Sequence, residues 1–282
     1  MRLLVGFDGS DGGRDALELA RILAMETDAS IVVAAVLFGG PLPVELARLE
    51  KHEAEEAEPL FEEAHTALSG IDLETRPYGG GSPAAILTQL AEDEEEEFDL
   101  IVVGSPHRGA LGRVLIGSVA RNLLNGSPCN VLVAPKGYAA ESHDSLRTIA
   151  VGYDGTPEAK QALRKAEELA RHSNATIRLL TVVKPAAAAP VMVPGAYAPE
   201  YPPEPDKVIR EGLGCVDSGL AADTERLDGD PALELIRACE EGVDLLVVGS
   251  RGYGPLARVL LGSVSRKVVQ NAPCPVVAVR RP

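Results

Sequence analysis

Two short stretches of this 282-residue chain carry residues suited to holding a phosphorylated ligand. Gly249-Ser-Arg-Gly252 follows an apolar run, and after nine intervening residues Gly262-Ser263-Val264 opens a helical pattern. Glycine permits tight turns and lets a backbone approach a ligand closely. The amides of Ser263 and Val264 fall at a helix N-terminus, where unpaired N–H groups and the helix dipole favour phosphate. Ser263 has a second use as the helix cap. Asp154 precedes Gly155 at the end of another apolar run, a place equally suited to ordinary turn chemistry. Patterns for other chemistries are missing. Neither a Ser-His-Asp arrangement nor HExxH occurs, and no Gly-Lys pair completes a P-loop. Gly252-Tyr-Gly254-Pro-Leu-Ala257 fits a dinucleotide fingerprint, but it follows a fourth strand and lacks the acidic residue about 20 positions on.

The elements that must position these residues occur twice. DLIVVGS at 99–105 and DLLVVGS at 244–250 share six of seven residues at an offset of 145. Residues 113–134 and 258–279 share ten of 22 at the same offset. The openings LVGFDGS and AVGYDGT match at an offset of 146. Repetition of this length points to a duplication, joined by a polar linker at 136–147. In the first half, apolar runs predict strands at 3–7, 31–37, 100–103 and 131–134, with an edge-like strand at 71–77. Helices are predicted at 11–24, 44–68, 83–97 and 118–125. The second half predicts strands at 148–153, 177–183, 245–248 and 276–279, and helices at 158–172, 206–215, 232–241 and 263–271. A Pro- and Ala-rich stretch, 184–205, reads as extended. Alternating elements with uninterrupted apolar strands imply an α/β fold of two repeated doubly wound parallel-sheet domains, 1–138 and 146–282. Ligands in such sheets bind at the carboxyl ends of strands, where the winding reverses.

Charge narrows the partners. Forty-two acidic residues against 27 Lys and Arg give a net charge of −15. The long charge runs, 53–58 and 92–97, are acidic and read as solvated helix faces. Nucleic acid and membrane surfaces are therefore not expected partners. Cys129, Cys215, Cys239 and Cys274 form no CxxC pair, so buried reduced thiols are expected and no metal site. The opening residues read as a strand rather than a leader, and the apolar runs are too short to cross a bilayer, so a cytoplasmic place is expected.

Gly249-x2-Gly252-x9-Gly262-Ser263 is similar to G-x2-G-x9-G-(S/T), the ATP-binding motif of the universal stress protein family. GYDG at 152–155 and APCPVVAV at 272–279 resemble that family too, and the repeat carries the resemblance over the whole chain. The resemblance implies ATP, with or without Mg²⁺, bound across strands one and four. Tyr153 and Asp154 would lie beside the adenosine and Val182 against the adenine. Val248, Gly249, Gly252, Gly262, Ser263 and Val264 would complete the site on ribose and phosphates. The equivalent set in the first half is Phe7, Asp8, Val36, Gly104, His107, Gly117, Ser118 and Val119. There His107 replaces the second glycine and Pro106 removes a donor, so a weaker or altered site is expected. The implied function is an ATP-binding stress or signalling module whose nucleotide, held mainly in the C-terminal half, biases its surface toward an unknown protein partner. A nucleotide-independent scaffold is the rival reading, and slow ATP hydrolysis is the one enzymatic option. The resemblance also implies that the last strands of the halves pair with each other in an internal pseudo-dimer, with further homo-oligomers open.

Overall fold

The computed structural model describes residues 1–37, 46–105, 117–184, 204–250 and 258–281, with the backbone alone for 46–54. Gly252, His107, Pro106 and nearly all of the Pro- and Ala-rich stretch lie outside the described residues.

The first half runs β1 (Arg2–Gly6), α1 (Asp11–Thr27), β2 (Ser30–Leu37), α2 (Leu46–Ala67), β3 (Leu73–Gly79), α3 (Pro83–Glu92), β4 (Leu100–Gly104), α4 (Ser118–Leu123) and β5 (Asn130–Ala134). A single 3-10 turn, Tyr138–Ala140, lies in the linker. The second half runs β6 (Thr148–Gly152), α5 (Pro157–Ser173), β7 (Thr176–Val183), α6 (Pro205–Cys215), β8 (Ala222–Asp228), α7 (Pro231–Glu240), β9 (Leu245–Gly249), α8 (Ser263–Asn271) and β10 (Val276–Val279).

The ten strands among the described residues form one sheet in the order β3-β2-β1-β4-β5-β10-β9-β6-β7-β8. Pairing is parallel within each half and antiparallel at the central seam, where Val277 of β10 faces Leu132 of β5. Both side chains are fully buried. Burying a Val or Leu contributes about 1.5–3 kcal/mol, so this seam is a stabilising joint rather than a loose contact. It also removes two exposed strand edges that would otherwise invite pairing with another chain.

One face of the sheet packs against α1, α2, α5 and α6, and the other against α3, α4, α7 and α8; each core runs unbroken through both halves. Alternate residues of one strand feed the two cores: Leu3 and Val5 face the first, Leu4 the second. Buried on both faces, such strands read as continuous apolar runs.

Three expectations need correcting. The third helix stops at Glu92 rather than 97, because Asp93 turns to an extended conformation and its carboxylate accepts the Glu95 amide. A strand not read from the sequence, β8, pairs along β7 at the sheet edge. The linker is not simply polar: Tyr138 and Leu146 are buried. The Asp15 carboxylate accepts the Gly137 and Ala139 amides at 2.9 Å each, fastening the linker to α1.

Candidate functional site

In each half the chain winds outward from the first strand through the second to the third, then returns to place the fourth on the other side. The gap above the ends of β1 and β4, and of β6 and β9, is the reversal point where such folds hold ligands.

The turn leaving β1 is built by a chain of hydrogen bonds. Asp8 Oδ1 accepts from the Ser10 amide (3.1 Å) and hydroxyl (2.6 Å), and Ser10 Oγ accepts the Gly13 amide (3.1 Å) to cap α1. The turn leaving β6 repeats this with Asp154, Thr156 and Ala159 at 3.1, 2.6 and 3.2 Å. Gly9 and Gly155 sit at φ +72° and +81°, a backbone region where a side chain is strained. Both aspartates therefore hold their turns through one oxygen while their side chains stand exposed, that of Asp8 at the first-half cleft.

Phe7 and Tyr153 are almost fully buried, although Phe7 still borders the first-half cleft. Each is 2% exposed and belongs to the core under α1 and α5. Tyr153 packs so tightly on α6 that a Cβ at Gly212 would stand 2.7 Å from its ring. Burial pushes its phenol up to about 12, with Cys215, Glu211 and Asp154 adding to the rise. Val248 lies in the opposite core, where Val182 and Val264 also pack. The second-half residues thus separate into Val182, Val248 and Val264 on one face and the Tyr153 ring on the other.

Strand four ends in glycine for a steric reason. A Cβ on Gly249 would stand 2.7 Å from the Glu158 carbonyl in the first turn of α5. In the first half the approach is closer: a Cβ on Gly104 would overlap the Gly12 carbonyl, and one on Gly12 would stand 2.5 Å from the Ser105 carbonyl. Across the cleft, Gly262 and Gly117 are the N-caps of α8 and α4 and offer no side-chain cap. The first-turn amides, including those of Ser263 and Val264 or Ser118 and Val119, are left to an external acceptor. Ser265 Oγ donates to the Gly249 carbonyl at 2.8 Å and fixes α8 against the strand end.

In the first half these pieces enclose a cleft of about 1090 Å³. Phe7, Asp8, Val36, Gly104, Gly117, Ser118 and Val119 line it together. Ser10, Gly12, Gly13, Ser82, Pro83 and Ser105 line it as well and were not singled out from the sequence. Ser105 and its counterpart Ser250 are buried, with hydroxyls that find no partner among the described residues. Their amides bond the Ala134 and Val279 carbonyls, so each serine is fixed at the strand end. The signal was present: a serine follows the strand-ending glycine in both copies. A buried hydroxyl without a partner is costly, and one beside a ligand cleft is a ready hydrogen-bonding group.

Other chemistries find less support. Among the described residues no cluster of three His, Cys, Asp or Glu could hold a metal. Cys129, Cys239 and Cys274 are buried, whereas Cys215 is exposed, against the expectation of uniformly buried thiols. Burial pushes the Cys129 thiol up to about 11, far from a reactive thiolate. No helix among the described residues is long and apolar enough to cross a membrane.

Comparison with known proteins agrees with this architecture. The model of the universal stress protein family matches residues 1–135 and again 145–280. A universal stress protein of Mycolicibacterium smegmatis is 27% identical over 99% of this chain and 96% of its own length. Universal stress protein YxiE of Bacillus subtilis is 37% identical over 46% of this chain and 96% of its own. The crystal structure of a universal stress protein from Archaeoglobus fulgidus superposes with a TM-score of 0.70, covering 99% of this chain and 96% of that one at 23% identity.

Proposed function

Because the chain belongs to the universal stress protein family, matched once in each half, we propose that it is an ATP-binding stress-response and signalling module. The two halves act as domains of about residues 1–138 and 146–282. ATP is held mainly in the C-terminal half. The observation that carries this reading is the meeting of Gly249 and the uncapped α8 terminus at Gly262-Ser263, at the motif's full spacing, above the reversal point of the sheet. The amides of Ser263 and Val264 take the phosphates, as a chain of net charge −15 must rely on backbone donors. Val182 and Val248 supply the apolar wall for adenine, Asp154 faces the ribose or an accompanying Mg²⁺, and Ser250 adds a buried hydroxyl. The N-terminal cleft is a second, weaker adenine-nucleotide site, because His107 stands where the motif has glycine. Bound nucleotide biases the surface toward a protein partner in the cytoplasm.

Titration of the full chain with ATP tests this. One dominant site is expected, with affinity falling at least about tenfold in Gly262→Asp, where a carboxylate would meet the phosphates. Gly117→Asp should leave that dominant site in place. Unchanged affinity in Gly262→Asp would overturn the assignment.

A further inference from the structure

The stretch that delivers Gly262 to the C-terminal site is held by the other half of the chain. Arg258 Nη1 donates to the Gly126 carbonyl at 2.8 Å, and Nη2 donates to Glu92 Oε1 at 2.5 Å. The Val259 amide donates to the Ser127 carbonyl at 2.9 Å. Val259 and Leu261 are buried in the core that also contains Leu124, Cys129 and Val131 of the first half. Glu92 ends α3, and Gly126 and Ser127 lie just beyond α4. Three hydrogen bonds and two buried side chains therefore anchor residues 258–261 to the N-terminal half. One residue later Gly262 caps α8.

Stability alone does not account for the ion pair. Arg258 and Glu92 side chains are 39% and 43% exposed, and pairs so exposed contribute little to stability. Geometry is what the pair supplies. A guanidinium is a rigid, planar fork, and here its two arms are committed to different elements of the first half. They fix the backbone four residues before the Gly262 cap. Backbone amides recognise phosphate only when held close to the productive position, so a small drift of this stretch weakens binding without unfolding anything.

We propose that Glu92 and Arg258 form a positioning pair that sets the phosphate-binding amides of Ser263 and Val264, so that the C-terminal site is completed by the N-terminal half. The proposal rests on the reading of that site as a nucleotide site. Neither side chain contacts the ligand. The repeat counterpart of Arg258 is Arg113, which lies outside the described residues.

The test uses the full chain carrying Gly117→Asp, so that ATP binding reports the C-terminal site. Dissociation constants for ATP and thermal midpoints are measured for this background and with Glu92→Ala, Arg258→Gln or both added. Either single change should weaken ATP binding about three- to tenfold. The midpoint should move by no more than about 3 °C. The double variant should bind no more weakly than Arg258→Gln alone, since both changes break one unit. ATP affinity within about twofold of the background in both single variants, whatever the midpoint does, overturns the proposal. Gly262→Asp in the same background separates the two ideas. If it abolishes binding while Glu92→Ala and Arg258→Gln do not weaken it, only the positioning pair falls. If it leaves binding intact, the site reading falls and the pair with it.

Discussion

The two strand–turn–helix corners, one in each half, agree in their hydrogen bonds and differ in their sterics. Asp8, Ser10 and Gly13 reproduce the bonds of Asp154, Thr156 and Ala159 to within 0.1 Å. Yet the first helix of the N-terminal half opens Asp11-Gly-Gly, where its counterpart opens Pro157-Glu-Ala. Two glycines let α1 slide against the end of β4, and Gly104 then has no room for a Cβ. In the other half Glu158 and Ala159 keep the helix slightly further off. The covering helices differ as well: α2 spans 22 residues and α6 only 11. A duplicated fold thus retained what shapes its turns and varied what lies over its clefts. The two corners are therefore not interchangeable, although their hydrogen bonds repeat.

The comparison can be broken most severely at the seam that joins its two sides. Val277→Asp would place an unpaired carboxylate opposite Leu132, where both positions are fully buried. A loss of about 4 kcal/mol or more is expected, the range reserved for uncompensated buried charge. Urea unfolding followed by far-ultraviolet circular dichroism should change from one transition to two as the shared cores separate. An unchanged single transition would mean that the halves do not depend on this seam.

A second substitution sharpens the contrast between the clefts. Gly104→Ala should cost about 3 kcal/mol and Gly249→Ala about 1 kcal/mol, because the first Cβ overlaps a carbonyl and the second only crowds one at 2.7 Å. Equal losses in urea denaturation would show that α1 and α5 can retreat equally well.

The smallest effect is alkaline. Burial pushes Cys129 up to about 11, and burial with Cys239 beside it pushes Cys274 well above the ordinary thiol value. A thiol whose folded pKa is raised favours the folded state fully below its unfolded pKa, about 9, and that contribution is lost as pH climbs toward the folded value. The urea midpoint should therefore fall between pH 9 and 11. Cys129→Ala and Cys274→Ala should each flatten that fall. A slope unchanged from the parent in both variants would contradict the buried, neutral state of these thiols.

Much of this was legible in the residues. Strands buried on both faces leave unbroken apolar runs, so eight of the strand positions, the repeat and the reversal point could be read directly. The edge strand β8 escaped because four of its seven residues, Asp223, Glu225, Arg226 and Asp228, are charged. Lying at the sheet edge, it needs no apolar face on both sides. The glycines of the candidate site were visible as a spacing, but their reasons were not. Gly104 is required by Gly12, 92 positions away, and no local pattern carries that information. Nothing local marks Ser105 and Ser250 as buried, and only the fold leaves their hydroxyls without partners among the described residues.

By itself the sequence determined the duplication, the alternating α/β order, the strand-end glycines and the apolar last strands that had to be covered. These follow from local periodicity and from what one residue type allows its own backbone. Tertiary structure alone decided the register of Val277 on Leu132, the turning of Tyr153 away from Val248, and the hold of Glu92 on Arg258 across 166 positions. Each depends on which surfaces meet once the sheet is complete, and such meetings leave no trace in neighbouring residues.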